Sequence, residues 1–181
     1  MAVFMDNAND GDPEGVVEIY EDDNVNKEEL LTYVNKRAKA TALHLAANNG
    51  HDEIVKFLVE RIKEDLPERQ KELINKQNKY QFTPLMSVCF RGYLVKGKAK
   101  DADEPRLNIV KCLIEAGADV NYATSDTNMT ATHWAAYNED FAVVRELLNH
   151  GASHTIFSHM GRLPIDVGGS SRAWDVVDIC L

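Results

Sequence analysis

Two histidines stand at the same place in two similar segments of the sequence, where an imidazole could serve as a general base or a metal ligand. They are His44 in Thr-Ala-Leu-His and His133 in Thr-Ala-Thr-His. Two further copies of the segment carry Met86 and Asp166 at that place. A catalytic group would not be exchanged for a thioether, so the pattern argues against a shared chemical role.

Three more histidines, His150, His154 and His159, follow one another closely. Gly151 is expected to end a helix between the first two, which would separate their side chains. No pair of cysteines stands nearby at the spacing of a zinc site. The sequence therefore favours surface histidines over a metal site.

The sequence also lacks the common catalytic motifs. It contains no phosphate-binding loop, no Gly-x-Ser-x-Gly elbow and no His-Glu-x-x-His segment. No arrangement pairs a nucleophile with a base. We therefore predict a protein that is not an enzyme and that needs no cofactor and no metal.

The histidines belong to a segment that the chain repeats. Its copies begin at Thr41, Thr83, Thr130 and Leu163. Three copies precede an apolar run with helical character, at residues 54–58, 109–114 and 143–148. The threonine can cap a helix, and a glycine such as Gly50 can end it. Such a repeat predicts short helix pairs that stack, because one unit alone cannot bury its apolar face.

The repeated segment resembles the core of ankyrin repeats, whose unit is a β-turn finger followed by two antiparallel helices, A and B. Residues 113–121, Leu-Ile-Glu-Ala-Gly-Ala-Asp-Val-Asn, are similar to that family's passage from helix B to the next finger. The resemblance covers about residues 34–181. It implies an all-α repeat solenoid of about five stacked β-turn and helix-turn-helix units, including degenerate terminal caps. It also implies that His44 and His133 are structural and bond to the neighbouring turn.

The spacing of the copies predicts one domain of five units. Thr130 and Leu163 are 33 residues apart, whereas the two preceding intervals are 42 and 47 residues. The units are 1–33, an acidic degenerate N-terminal repeat or cap; 34–75, with an extended helix B; 76–121, with an insertion at 94–106; 122–154; and 155–181. We expect the insertion to be a solvated loop, with a docking or modification site as the alternative. The last unit is either a shortened cap or a repeat cut from a longer protein, and its apolar end favours the cut.

The net charge of −9 lies entirely at one end of the chain. Residues 1–33 contain ten acids and one base, and the remainder contains 19 of each. Phosphate repulsion there argues against a nucleic-acid partner. A solvated capping unit explains the charge better than an acidic interaction patch, because terminal repeats need a polar outer face.

Other features of the composition indicate an intracellular protein. No apolar run approaches the ~18 residues of a membrane span, and the first residues do not resemble a signal peptide. Cys89, Cys112 and Cys180 are odd in number and far apart, which favours buried reduced thiols over disulfides. We expect a monomer in the cytoplasm or nucleus, without a membrane span.

The resemblance places partner contacts on the finger tips and on the exposed side of each helix A. Aromatic residues, methionine and arginine at these positions are of the types enriched at binding hot spots. The predicted partner-binding residues are Tyr80, Phe82, Phe90, Arg91, Met129, Tyr137, Asn138, His159, Met160 and Arg162. Phe82 and Phe90 could instead pack between repeats, whereas Tyr80 and Tyr137 are the better candidates for exposure.

The sequence therefore predicts a non-catalytic protein-interaction module, a scaffold or adaptor that binds a protein or peptide on its concave surface. The alternative is a regulatory or anchoring segment of a larger enzyme, channel or signalling protein that continues beyond residue 181. Asn121 is a possible modification site, because Leu113, Asp119 and Val120 precede it in a pattern that resembles substrates of asparagine hydroxylases. A structural bond from Asn121 to the turn backbone is the favoured alternative.

Overall fold

The computed structural model describes residues 1–90 and 104–168. Within these ranges it contains eleven α-helices and a short 3-10 helix, Pro67–Arg69. The helices are α1 Ala2–Asp10, α2 Pro13–Glu21, α3 Lys27–Thr32, α4 Ala42–Asn49, α5 Asp52–Asp65, α6 Gln70–Ile74, α7 Pro84–Cys89, α8 Glu104–Glu115, α9 Ala131–Tyr137, α10 Phe141–Asn149 and α11 Pro164–Val167.

The helices form two layers that run the length of the stack. In the inner layer α1, α4, α7, α9 and α11 pack each against the next. In the outer layer α2, α5, α8 and α10 do the same. The inner helices contribute small buried residues such as Ala46 and Ala135, which let neighbouring helices approach closely. This architecture is an all-α repeat solenoid, and the predicted fold class is confirmed.

The repeated segment sets the ends of the inner helices. The hydroxyls of Thr41, Thr83 and Thr130 accept hydrogen bonds from the backbone N–H three residues on. Each such cap stabilises a helix by about 1 kcal/mol. Gly50 follows α4 in the left-handed conformation, with φ 82°. The three inner helices capped in this way are six to eight residues long.

The acidic N-terminal residues form a helix pair of the stack. Gly11, with φ 83°, ends α1 as Gly50 ends α4. The side chain of Asn49 donates to the carbonyl of Asn9 at 2.8 Å. In the outer layer the Tyr20 hydroxyl bonds to Asp65, and burial raises the pKa of Tyr20 further. These contacts attach α1 and α2 to the next unit.

The two lengthened units differ in detail from the sequence-based expectation. The extra residues of unit 34–75 extend α5 to Asp65 and then form the 3-10 helix and α6. The predicted insertion at 94–106 includes the first residues of a helix, because α8 already begins at Glu104. An acid in the first turn and Pro105 beside it favour a helix start there. Arg106 donates to the carbonyls of Val88 and Asn48 at 2.9 and 3.0 Å. Residues 94–103 of the insertion and the chain from residue 169 lie outside the described residues.

The turn after α9 is strained where other units have glycine. Glu139 adopts φ 56°, a left-handed conformation, at the place that Gly50 occupies after α4. We expect Glu139→Gly to raise the free energy of unfolding by about 0.5–1 kcal/mol, because a Cβ costs roughly 1–2 kcal/mol there and the entropy of glycine offsets part of the gain. Guanidinium denaturation of the variant and its parent measures the change. Glu139→Ala retains the Cβ and should not stabilise; an equal gain in both variants would contradict the backbone explanation.

Candidate partner-binding groove

A β-turn finger that closes on itself precedes four of the inner helices, α4, α7, α9 and α11. The fingers are residues 35–40, 78–82, 124–129 and 158–162, and in each the first residue's N–H donates to the last residue's carbonyl at 2.8–3.2 Å. Each contains one left-handed residue two positions before the helix cap: Lys39, Gln81, Asn128 and Gly161. A closed turn of five or six residues therefore recurs in these four units, although its sequence varies.

Hydrogen bonds join the fingers into a continuous row. The N–H of Lys79 donates to the carbonyl of Ala38, and the N–H of His159 donates to the carbonyl of Thr127, both at 2.8 Å. The second and third fingers are joined through Gln81, whose side-chain oxygen accepts from the N–H of Ser125 at 2.6 Å. The row of fingers forms one wall beside the inner helices.

The two aligned histidines bind neighbouring fingers. The N–H of Thr41 donates to Nδ1 of His44 at 3.2 Å, so the proton lies on Nε2, which donates to the carbonyl of Phe82 at 3.0 Å. His133 bonds the carbonyl of Arg162 in the same way at 3.3 Å. Burial lowers the pKa of His44 to about 4 and also lowers the pKa of His133. The predicted structural role of both histidines is confirmed.

A groove of about 780 Å³ lies between the finger row and the inner helices. Apolar and aromatic side chains line much of it, and asparagine, threonine and aspartate side chains add polar groups. The lining residues are Ala38, Ala40, His44, Leu45, Asn48, Asn78, Tyr80, Phe82, Ser87, Phe90, Asp126, Thr127 and Trp134. Its walls come from three consecutive units, so the stack and not any single repeat creates it.

Edge-to-face aromatic contacts form the floor of this groove. The rings of Phe82 and Phe90 lie 5.1 Å apart, and the rings of Phe90 and Trp134 lie 4.8 Å apart. Tyr137 contacts Trp134 at 6.2 Å from the other side. Such pairs prefer fixed ring orientations. The floor is therefore a well-ordered apolar surface.

The groove contains three of the predicted partner-binding residues: Tyr80, Phe82 and Phe90. Tyr80 is 57% exposed. Phe82 and Phe90 are half-buried and pack against the core as well as lining the groove. Trp134 also lines the groove but was not among the predicted residues; Leu45 and Ser87 stand at its position in the other units. Its size was the available signal that it would reach the groove.

The other predicted residues lie outside the groove lining. Met160 is 79% exposed, whereas Met129 and Tyr137 are half-buried against the core. The Asn138 side chain donates to the carbonyls of Cys89 and Trp134, at 2.7 and 3.0 Å. His159 and Arg162 are exposed. Arg91 lies outside the described residues. The predicted residues thus include half-buried as well as exposed side chains, and their binding role stays a prediction.

Asn121 links its own unit to the next one. Its side chain donates to the carbonyl of Gly151 at 3.0 Å and accepts from the N–H of Ser153 at 2.7 Å. Asn75 makes the equivalent bonds one unit earlier, to Gly117 and Asp119. The bonds join successive units, where a bond within the turn was expected. Modification of Asn121 stays a prediction.

The described part of the chain contains no group of three or more histidine, cysteine or acidic side chains arranged to hold a metal ion.

Burial raises the pKa of the Cys112 thiol to about 11, so this thiol stays protonated and weakly nucleophilic. Among residues 1–90 and 104–168 no helix is long and apolar enough to cross a membrane.

Stacked helix pairs joined by a row of hydrogen-bonded fingers define a repeat solenoid of the helix-turn-helix class. The family model of ankyrin repeats, described as three copies, matches residues 4–97 and 99–170. The chain therefore belongs to the ankyrin repeat family.

Three relatives illustrate the settings in which similar chains occur. Human BCL-6 corepressor-like protein 1 is 26% identical over 76% of this chain and 6% of its own length. The putative E3 ubiquitin-protein ligase XBAT31 of Arabidopsis thaliana is 30% identical over 73% of this chain and 24% of its own length. Neurogenic locus notch homolog protein 1 of Xenopus tropicalis is 30% identical over 55% of this chain and 4% of its own length. The matched region is under a quarter of each relative.

The neutral state of His44 predicts a pH-dependent stability. Between its ordinary pKa of 6.5 and its folded pKa of about 4, only the unfolded chain binds the proton. The contribution of the neutral His44 to the free energy of unfolding is therefore fully present above pH 6.5 and is lost as the pH falls towards 4. We expect His44 to account for a loss of about 2 kcal/mol between pH 7.5 and pH 5.

Urea denaturation at both pH values measures this loss. The matched variant is His44→Met, because Met86 occupies the equivalent place in the next unit. It should reduce the difference between the two pH values by about 2 kcal/mol. If the variant showed the same difference as the parent, the pH dependence would not come from a neutral His44 in the folded chain.

Proposed function

We propose that this chain is a non-catalytic protein-interaction module that holds a segment of a partner protein in the groove between its fingers and inner helices. Ankyrin repeats are generally modules of protein–protein interaction, which supports the class of function. The observation that carries the specific proposal is the groove itself, about 780 Å³ in volume and built by three successive units.

The chemistry of the groove supports a polypeptide ligand. Its floor is aromatic and apolar, whereas Asn48, Asn78 and Thr127 supply amide and hydroxyl groups that can bond a peptide backbone. An apolar centre with a polar rim is the usual anatomy of protein interfaces. Tyr80 projects from the second finger at the rim, and tyrosine is a frequent binding hot spot.

A second candidate function is that of a regulatory or anchoring segment within a larger protein. The extent of the relatives favours it, because each is more than four times as long as its matched region. The two candidates share the groove and differ in what is joined to the module. The full open reading frame distinguishes them: a stop codon directly after Leu181 supports the scaffold, and continued coding supports the segment.

The proposal places the protein inside the cell, as a monomer that binds protein and not nucleic acid. The acidic N-terminal units support this choice, since a net charge of −9 repels phosphate at long range. It assigns no catalytic residue, and its histidines at aligned positions hold fingers together.

The exposed ring of Tyr80 gives the cleanest test of the groove. We expect Tyr80→Ala to weaken partner binding by roughly 1–3 kcal/mol while leaving the free energy of unfolding nearly unchanged. The control is Phe157→Ala, because Phe157 is also 57% exposed and lies outside the groove lining. Partners recovered from cell lysate by the immobilised chain are quantified by mass spectrometry.

The expected result is a partner lost with Tyr80→Ala and retained with Phe157→Ala. Chemical denaturation of both variants confirms that the fold survives. Equal retention by the parent and Tyr80→Ala would contradict the groove as the binding site. Unfolding of Tyr80→Ala would show that the tyrosine is structural.

A further inference from the structure

Four exposed cations lie along the part of the finger row that borders the groove. They are Lys36, Arg37, Lys39 and Lys79, here called the basic strip. Three of them are immediate neighbours of the lining residues Ala38 and Asn78. The bond between the N–H of Lys79 and the carbonyl of Ala38 brings the two fingers side by side. The basic strip therefore follows one edge of the groove across two units.

These cations have no acidic counterpart in their own fingers. Residues 35–40 and 78–82 contain no aspartate or glutamate. In the described ranges none of the four forms a salt bridge, whereas nearby Lys76 pairs with Glu72 at 3.5 Å. The ammonium of Lys79 lies 4.9 Å from the ring centroid of Tyr80. A positive edge is thus held directly against the aromatic rim of the groove.

An acidic residue stands beyond one end of the basic strip. Asp126 lines the groove from the third finger. A ligand that continued its negative charge past the second finger would meet this carboxylate. The charge pattern therefore fits a short acidic run and not a long polyanion.

We propose that the segment held in the groove is an extended peptide in which a short acidic run adjoins a large apolar side chain. This inference rests on the proposed function of the groove. The apolar side chain occupies the floor formed by Phe82, Phe90 and Trp134, and the acidic run lies over the basic strip. Like-charge repulsion at Asp126 disfavours ligands with the wrong charge order, which is a source of specificity.

A selection of random peptides tests the proposed chemistry. Phage-displayed peptides of about twelve residues, long enough to span the groove when extended, are selected on the immobilised full chain. Recovered peptides are resynthesised with a fluorescent label and titrated by anisotropy. We expect them to carry adjacent acids beside an aromatic or large aliphatic residue.

Two variants of equal charge separate the basic strip from the overall charge of the chain. In the strip variant Lys36, Arg37, Lys39 and Lys79 are replaced by glutamine. In the control variant the exposed helical cations Lys63, Lys71, Lys111 and Arg145 are replaced by glutamine. The strip variant should bind the selected peptides roughly tenfold more weakly, with a smaller dependence on salt. The control variant should bind them as the parent does.

Each other outcome contradicts part of the argument. Peptides that depend on Tyr80 but carry no acids would overturn the acidic run and leave the groove function intact. Peptides that are insensitive to both Tyr80→Ala and the strip variant, or a failure to select any, would overturn both. Single-stranded DNA or phosphatidylserine vesicles could instead bind as tightly as the selected peptides and lose affinity in the strip variant. That result would contradict a peptide as the specific ligand, since the strip would then bind any polyanion.

Discussion

The contact between neighbouring units is the constraint on which the rest of this structure depends. A pair of helices such as α4 and α5 exposes an apolar face on each side, and only another pair can cover it. The inner helices meet through alanines and leucines that are nearly inaccessible, including Leu43, Ala46 and Leu85. The fingers stand at the ends of the inner helices, and the groove lies between the two.

Hydrogen bonds between polar groups fix how each unit is aligned with the next in this apolar stack. His44 joins its helix to the second finger, and Asn75 and Asn121 join the end of one unit to the end of the next. A buried imidazole that loses its acceptor would cost free energy, so a misplaced neighbour is penalised. Apolar packing alone tolerates sliding, whereas these directional bonds favour one arrangement of adjacent fingers. The groove inherits its shape from that arrangement.

The sequence predicted the structural features that recur in each copy of the repeat. It did not predict the burial of side chains that is set by contacts between units. Threonine caps, the glycine after α4 and the bonding role of His44 all follow from recurrence within the chain. The burial of Phe82 does not, because it depends on the side chain of Trp134 in the adjacent unit. The start of α8 at Glu104 was missed for another reason. Its first turn has no counterpart in the other copies, so alignment assigned it to the insertion.

Repeated residues set the shape of the backbone, whereas residues that differ between units set the chemistry of the groove. Leu45, Ser87 and Trp134 occupy one structural position in three successive units, and all three line the groove. Because the repeated residues fix the backbone, this position can vary in size and polarity without changing the fold. Trp134 fills one part of the floor, whereas Ser87 leaves room beside it. The character of the groove surface is therefore set by the residues that do not repeat, on a backbone held in place by those that do.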